Sequence, residues 1–426
     1  MINSFWVTFL RKGGWWLGVG LVLVACAEVS PTPTPILTPL SSTPQVARTP
    51  RVAVTPATPP TFAAFLPLLS SGSSPTPTAS PSPPPPTDTP LPPTPTDTPT
   101  PSWPEPLTGQ TLSKLSLHTV TNGDSYIMEF TRRVHPRVMK AADDLGWLTE
   151  LKRVSPDTMT VGRFTEAEAD LQEHWPDTTD PVAAATVYVE RFLERYRLNP
   201  GVDYWEGWNE FVPVTLARMR WYAQFEATRA CLMRDAGLHA AVGGFPMGSP
   251  EYAEMEAFIP ALEAAHRCGA IFTMHEGVSP IIDCDVGYGL QIPGSPAFPT
   301  VKTGYLSFRY RFWYEGYLKP RGLGDVPLVI SELAVAGLLP NSPCNGPGGA
   351  SWKDFSAWWV ERGVGATGPE AFINMLRWYD SEMRADSYMV GAALFTAGAP
   401  VPNEGWYASD VHDVIIPLAW YAAELR

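Results

Sequence analysis

Tyr204-Trp205-Glu206-Gly207-Trp208-Asn209-Glu210 reads as a buried strand ending in a carboxylate, and Val329-Ile330-Ser331-Glu332 reads as a second one. Burying a carboxylate at a strand tip is costly, so such a position needs a chemical use. Outward from these segments, short apolar runs alternate with longer amphipathic ones. Strand candidates cover 115–118, 138–141, 158–163, 204–210, 240–244, 270–275, 328–331 and 389–395. Helical periodicity runs over 183–197, where Val187, Val189, Phe192 and Leu193 sit among Glu190, Arg191, Glu194 and Arg195. It recurs over 216–236, 251–268, 301–318 and 369–384, with Gly237, Gly269 and Gly322 where helices should stop.

Strands alternating with helices predict a parallel sheet with helical crossovers. Eight such units predict an α/β fold, a closed (β/α)8 or TIM barrel, over residues 107–426. An open dinucleotide-binding sheet has little support, because no Gly-x-Gly-x-x-Gly follows the first strand. In the barrel, Glu210 closes strand four and Glu332 closes strand seven. Both then lie at the C-terminal mouth, where barrel enzymes keep their chemistry.

The chain before residue 107 has a different character. Arg11 and Lys12 precede an apolar run from Gly13 to Ala25, which reads as a secretory signal over 1–25. The run is too short to span a bilayer. Leu23-Val24-Ala25-Cys26 resembles a bacterial lipobox, which implies an exported lipoprotein held to the membrane surface by lipid on Cys26. Residues 26–106 are dominated by Pro, Thr and Ser, as in Pro81-Ser82-Pro83-Pro84-Pro85-Pro86. They offer little to bury, so a disordered tether on the order of 200 Å at full stretch is expected. Phe62-Ala63-Ala64-Phe65-Leu66 is part of an apolar island in it with no assigned role.

The formal net charge is −13 and basic clusters are absent, which argues against a nucleic-acid partner. The sequence holds 16 tryptophans, enough to furnish both a core and flat faces for a sugar. After Cys26 four cysteines remain, and an exported domain with an even count invites disulfides. Cys231 and Cys268 fall in consecutive helices, and Cys284 and Cys344 fall in loops after consecutive strands on one barrel face. The expected pairs are therefore Cys231–Cys268 and Cys284–Cys344. No metal-ligand spacing and no cofactor motif is present, and a monomer is expected.

Two carboxylates facing each other across a barrel mouth fit the cleavage of a glycosidic bond, which needs a proton donor and a partner for the oxocarbenium-like carbon. Trp208-Asn209-Glu210 at strand four and Ser331-Glu332 at strand seven resemble the signature of glycoside hydrolase clan A, the (β/α)8 retaining glycosidases. The extended run from Trp205 is closest to the xylosidase-like and arabinofuranosidase-like families of that clan. The resemblance implies Glu210 as acid/base, Glu332 as nucleophile, Asn209 on the sugar's 2-hydroxyl and His275 near the nucleophile. Trp208, Arg163 and Trp406 are further candidates for substrate binding, with Trp175 and Trp352 weaker ones. Trp358, Trp359 and Trp378 are expected in the core, and Glu206 inside the barrel as a hydrogen-bonded structural group.

The chain departs from the clan pattern in four places. Phe211 follows the acid/base where proline is common, and His275-Glu276-Gly277 lacks the tyrosine that contacts the nucleophile. Phe395 stands where strand eight often ends near tryptophan, with Trp406 as a substitute from the loop. Lys140 takes the strand-two place of a supporting arginine, leaving Arg163 of strand three for that task. Glu276 and Glu404 are the rivals of Glu332. The expected function is retaining hydrolysis of an extracellular poly- or oligosaccharide, with a non-catalytic glycan-binding barrel as the alternative.

Overall fold

The computed structural model describes residues 102–165, 175–281, 283–287, 292–337, 339, 342–399, 401–402 and 406–425. The expected signal segment, Cys26, most of the tether and Glu404 lie outside the described residues.

Eight parallel strands close into a barrel in sequence order, with β8 returning to β1. They are β1 Leu115–Thr119, β2 Val138–Ala142, β3 Met159–Arg163, β4 Tyr204–Glu206, β5 Ala240–Phe245, β6 Ile271–Val278, β7 Leu328–Val335 and β8 Met389–Ala397. The helices that pack outside include α1 Ser125–Val134, α2 Leu148–Val154, α3 Pro181–Arg197, α4 Leu216–Asp235, α5 Tyr252–Cys268 and α6 Tyr310–Trp313. Further helices are α7 Trp352–Glu361, α8 Gly368–Ala385 and α9 His412–Glu424. Side chains of a strand alternate between the two faces, so one strand serves both the barrel interior and the helix layer.

Inside the barrel, Val138, Val161, Ala241, Ile271 and Val329 meet as one apolar layer from five strands. Tyr204 packs against it. Two residues further along β2, β3 and β4 stand Lys140, Arg163 and Glu206, all buried. The period of two thus stacks a charged layer directly above the apolar one, toward the strand C-termini.

Strand β7 breaks that period. Counting by twos from inward-facing Val329 would turn Ser331 into the barrel and Glu332 out. The ladder to β6 pairs Met274 with Ile330 but His275 with Glu332, so one extra residue sits in β7. This bulge returns Glu332 to the interior, level with His275.

Helix boundaries follow local chemistry. Asp180 caps α3 by accepting the N–H groups of Val182 and Ala183, with Pro181 in the first turn. The glycines expected to stop helices do so, Gly237, Gly269 and Gly322 having φ of 75°, 68° and 73°. The expected helix over 301–318 is shorter than its periodicity. Regular helix begins only at Tyr310 and runs through a π turn, Tyr314–Leu318. Phe308 has a left-handed φ of 57°, and the Glu276 carboxylate accepts its N–H at 3.0 Å and that of Tyr310 at 2.7 Å. Strand β4 likewise ends at Glu206, not Glu210.

Both expected disulfides form. Cys231–Cys268 ties α4 to α5, and Cys284–Cys344 ties the segment after β6 to the one after β7. Among the described residues no helix is long and apolar enough to cross a membrane.

Candidate active site

Past the end of β4 the chain turns through Gly207-Trp208-Asn209 to Glu210. Glu210 takes a left-handed φ of 49°, and its N–H donates to the Gly244 carbonyl at 2.8 Å. A non-glycine residue there costs about 1–2 kcal/mol, so the turn is held by its surroundings. Gly244 must itself be glycine. Its φ is 60°, and a Cβ would lie 2.8 Å from the Trp208 carbonyl oxygen. The result is a carboxylate aimed across the mouth with its side chain 47% exposed.

Glu332 faces it from β7 and is far less exposed, at 13%. His275, from β6, stands between the two. Its Nδ1 is 2.9 Å from Glu210 Oε1 and its Nε2 is 3.6 Å from Glu332 Oε1. One carboxylate oxygen from each glutamate and one ring nitrogen of His275 lie within 4.8 Å of one another.

Charge around this trio is balanced by burial and neighbours. Burial opposes ionisation of Glu332, but His275, His118, Arg163 and Lys140 together outweigh it and hold the carboxyl below its usual range. Burial also opposes charge on Glu210, and there the hydrogen bond and charge of His275, with Arg163, again win. Burial pushes the His275 imidazole down, yet Glu332, Glu210 and Glu206 raise it above the ordinary histidine value. His275 thus holds its proton more tightly than an ordinary histidine, flanked by two carboxylates.

Beneath the trio, Lys140 and Glu206 form an ion pair with side chains 0% and 2% exposed. Burial works against the Glu206 charge, but Lys140, Arg163 and His275 bring its carboxyl to about 2. Glu206 is thus the structural group expected of it. The Glu210, His275 and Glu332 donors are of a kind that a divalent ion accepts. Arg163 Nη2, 3.6 Å from Glu332 Oε1, and Lys140 beneath it add fixed positive charge, so the residues suit a proton better than a metal.

Of the sequence candidates, Glu210, Glu332, His275 and Arg163 converge, and Asn209 adjoins them, partly buried. Trp406 is 55% exposed and stands edge-on to Phe395, with ring centroids 5.1 Å apart. Trp208 corrects the expectation. It is 1% exposed and stacked on Phe225 at 4.4 Å, inside the aromatic layer under α4, so it offers no face to a sugar. Trp352 is buried with its Nε1 donating to the Asp410 carbonyl, which removes it as a platform, and half-buried Trp175 packs edge-on to Trp208. Trp359 is core as expected.

Glu276 is not a rival nucleophile. It is the neighbour of inward-facing His275 and so points outward, where Tyr379 and two backbone N–H groups bind it. Two residues escaped the sequence reading, His118 near the end of β1 and Thr396 on β8. His118 Nε2 is 3.6 Å from Glu332 Oε1, and its Nδ1 is 2.7 Å from Thr396 Oγ1. A rule applied to every strand end, not only to carboxylates, would have found His118.

No protein-family model matches the chain, and no curated protein matches it in sequence. Among solved structures it is similar to a broad specificity endoglucanase from Clostridium acetobutylicum, with 11% identity and a TM-score of 0.43 over 74% of this chain and 97% of the other. A glucosidase from Croceicoccus marinus matches at 12% identity and a TM-score of 0.40, over 74% and 69% of the two chains. The endo-beta-1,4-mannanase from Thermotoga petrophila matches at 12% and 0.36, over 74% and 78%. At such distances the reaction has to be read from the site itself.

Proposed function

We propose that the barrel is a retaining glycoside hydrolase in which Glu332 attacks the anomeric carbon and Glu210 serves as acid/base. The observation that carries this reading is the approach of the two carboxylates, with an oxygen of each inside the 4.8 Å cluster at the C-terminal mouth. Retaining enzymes hold the pair about 5–5.5 Å apart, whereas inversion needs about 6.5–9.5 Å to admit a water.

In the first step a Glu332 oxygen bonds to the anomeric carbon as the glycosidic bond breaks, and the departing oxygen takes a proton from Glu210. His275 Nδ1–H, hydrogen-bonded to Glu210, is the store from which that proton comes. In the second step water attacks the same carbon and gives a proton to Glu210, which passes it back to His275 Nδ1, and Glu332 is released as carboxylate. The low-lying carboxyl of Glu332 keeps the nucleophile ionised. Trp406 is the exposed aromatic face beside the site, and Asn209 meets the sugar's 2-hydroxyl.

The substrate is an extracellular poly- or oligosaccharide, and lipid on Cys26 with the Pro/Thr/Ser-rich tether holds the enzyme at the outer face of a membrane. Glu332→Ala and Glu210→Ala should each abolish cleavage across a panel of aryl glycosides and soluble glycans. A 2-fluoro glycoside should label Glu332 covalently, as read by peptide mass spectrometry. Wild-type rates in both variants would remove the reading.

One observation favours a second reading, a glycan-binding barrel without turnover. His275 and Arg163 hold Glu210 ionised, which is the wrong state for an acid unless His275 yields its proton. Saturable glycan binding with no cleavage on the same panel would establish that alternative.

A further inference from the structure

Glu332 Oε1 is 3.6 Å from each of three nitrogens, Nε2 of His118, Nε2 of His275 and Nη2 of Arg163. Each is poised just outside hydrogen-bond range, and among the described residues none donates a hydrogen bond to Oε1. Two of the three are accounted for, since His275 also serves Glu210 and Arg163 was expected near the nucleophile. His118 has no other task at the mouth.

Its surroundings fix which nitrogen carries the proton. Thr396 Oγ1 lies 2.7 Å from His118 Nδ1 and 3.3 Å from the His118 carbonyl oxygen. The Glu332 carboxylate oxygen that Nε2 faces favours the proton on Nε2, and Nδ1 then accepts the Thr396 hydroxyl at 2.7 Å in place of its longer contact to the carbonyl. The Phe395 ring packs on the imidazole with centroids 4.9 Å apart, and the residue is 1% exposed. The charged and titratable groups facing the ring are Glu332, Lys140, Arg163 and His275. Burial, first, and the three cationic neighbours bring its pKa down to about 3 against the pull of Glu332. His118 is thus a neutral donor at working pH.

Strand β6 offers no second donor beside His275. A side chain at position 277 of β6 would meet Met247, whose Sδ is 2.3 Å from where a Cβ would stand. The Met247 side chain occupies that space, and glycine at 277 sends no second donor to the nucleophile.

We propose that His118 is a positioning residue for Glu332, its Nε2–H favoured by the facing carboxylate, its Nδ1 held by the Thr396 hydroxyl, and the N–H closing on Oε1 so that Oε2 is left to attack the sugar. This rests on Glu332 being the nucleophile. The bond matters most in the second step, when the ester C–O bond breaks and charge returns to both carboxylate oxygens. Without the donor, release slows more than attack, and the glycosyl-enzyme accumulates.

The test uses His118→Leu, His118→Gln and Thr396→Val with 2,4-dinitrophenyl glycosides, whose leaving group makes attack fast. His118→Leu should lower kcat by about 10- to 100-fold, lower KM as well, and show the covalent adduct in intact-mass spectra. The acid limb of kcat/KM should move up in pH. His118→Gln, which keeps a donor, should restore most of kcat, and Thr396→Val should reproduce a milder form of the loss. Nitrogen-15 spectra of histidine-labelled protein should show His118 as the Nε2–H tautomer in the parent and a mixture in Thr396→Val. A parent ring protonated at Nδ1, or folded Thr396→Val and His118→Gln with parental kinetics and no adduct in His118→Leu, would overturn the proposal. If His118→Leu does not fold, the tautomer and Thr396→Val decide. Loss of labelling and turnover in the parent itself would instead sink the glycosidase reading, and the tautomer measurement stands apart from that outcome.

Discussion

His275 hydrogen-bonds Glu210 through Nδ1 at 2.9 Å and turns its other nitrogen toward Glu332 at 3.6 Å. One imidazole therefore belongs to both carboxylates, and the three titrate as a unit. Because Glu332 is held below the usual range, the acid limb of activity lies lower than for an ordinary glutamate. Because His275 is raised above the ordinary histidine value, its proton is lost only at a higher pH than that of a free imidazole. The expected kcat/KM profile is a plateau crossing pH 5 to 6.5, falling on the alkaline side. His275→Gln should lower kcat/KM by roughly 100- to 1,000-fold and bring the alkaline limb below 6.5. An unchanged alkaline limb in that variant would disprove the shared proton.

The same groups set stability against pH. His275 has a raised folded pKa, so its contribution is present below 6.5 and is lost as pH rises through the folded value. Glu206 and His118 have depressed values. Glu206 loses its contribution as pH falls toward about 2, and His118 as pH falls from 6.5 toward about 3. Melting temperature measured from pH 3 to 9 should pass through a maximum near neutrality and fall on both sides.

Lys140 and Glu206 are fully enclosed, so breaking the pair differs from replacing it. Lys140→Met leaves a buried carboxylate without its partner and should cost about 3–5 kcal/mol in urea unfolding. The double variant Lys140→Met/Glu206→Leu should recover most of that loss. Additive losses in this cycle would show that the two do not interact.

Trp208 and Trp406 should separate stability from binding. Trp208→Ala opens a hole in the aromatic layer under α4 and should cost about 3–5 kcal/mol. Trp406→Ala should leave unfolding within about 0.5 kcal/mol of the parent and raise KM by roughly 3- to 10-fold. The reverse pattern would place the sugar against Trp208.

The two disulfides span sequence separations of 37 and 60 residues and should each contribute up to about 4 kcal/mol. Only Cys284–Cys344 joins the segments that follow the strands of His275 and Glu332. Cys284→Ser/Cys344→Ser should therefore lower kcat/KM at temperatures where the protein remains folded, and Cys231→Ser/Cys268→Ser should not. Equal kinetics in the two would detach the mouth disulfide from the site.

Much of this was legible in the sequence because barrel strands are short apolar runs and because Gly237, Gly269 and Gly322 mark helix ends. The disulfide pairs followed once the units were counted. Glu210 and Glu332 stood out as carboxylates at strand ends, where burial demands a reason. Other features depend on tertiary contacts. Nothing near Trp208 in sequence reveals that Trp221, Tyr222 and Phe225 will cover it. The false helix start at 301 is undone by Glu276, a residue far back in β6. His118 passed as an ordinary strand residue because its significance lies in Thr396 and Glu332, both remote along the chain.

The extra residue in β7 changes the parity of that strand. Before Ser331 the odd-numbered Val329 faces the barrel axis, and after it the even-numbered Glu332 does. Transplanting this acid onto a strand without a bulge would thus require moving it by one position, to where serine now stands. The nucleophile's place belongs to the count of residues in β7 as much as to the residue itself.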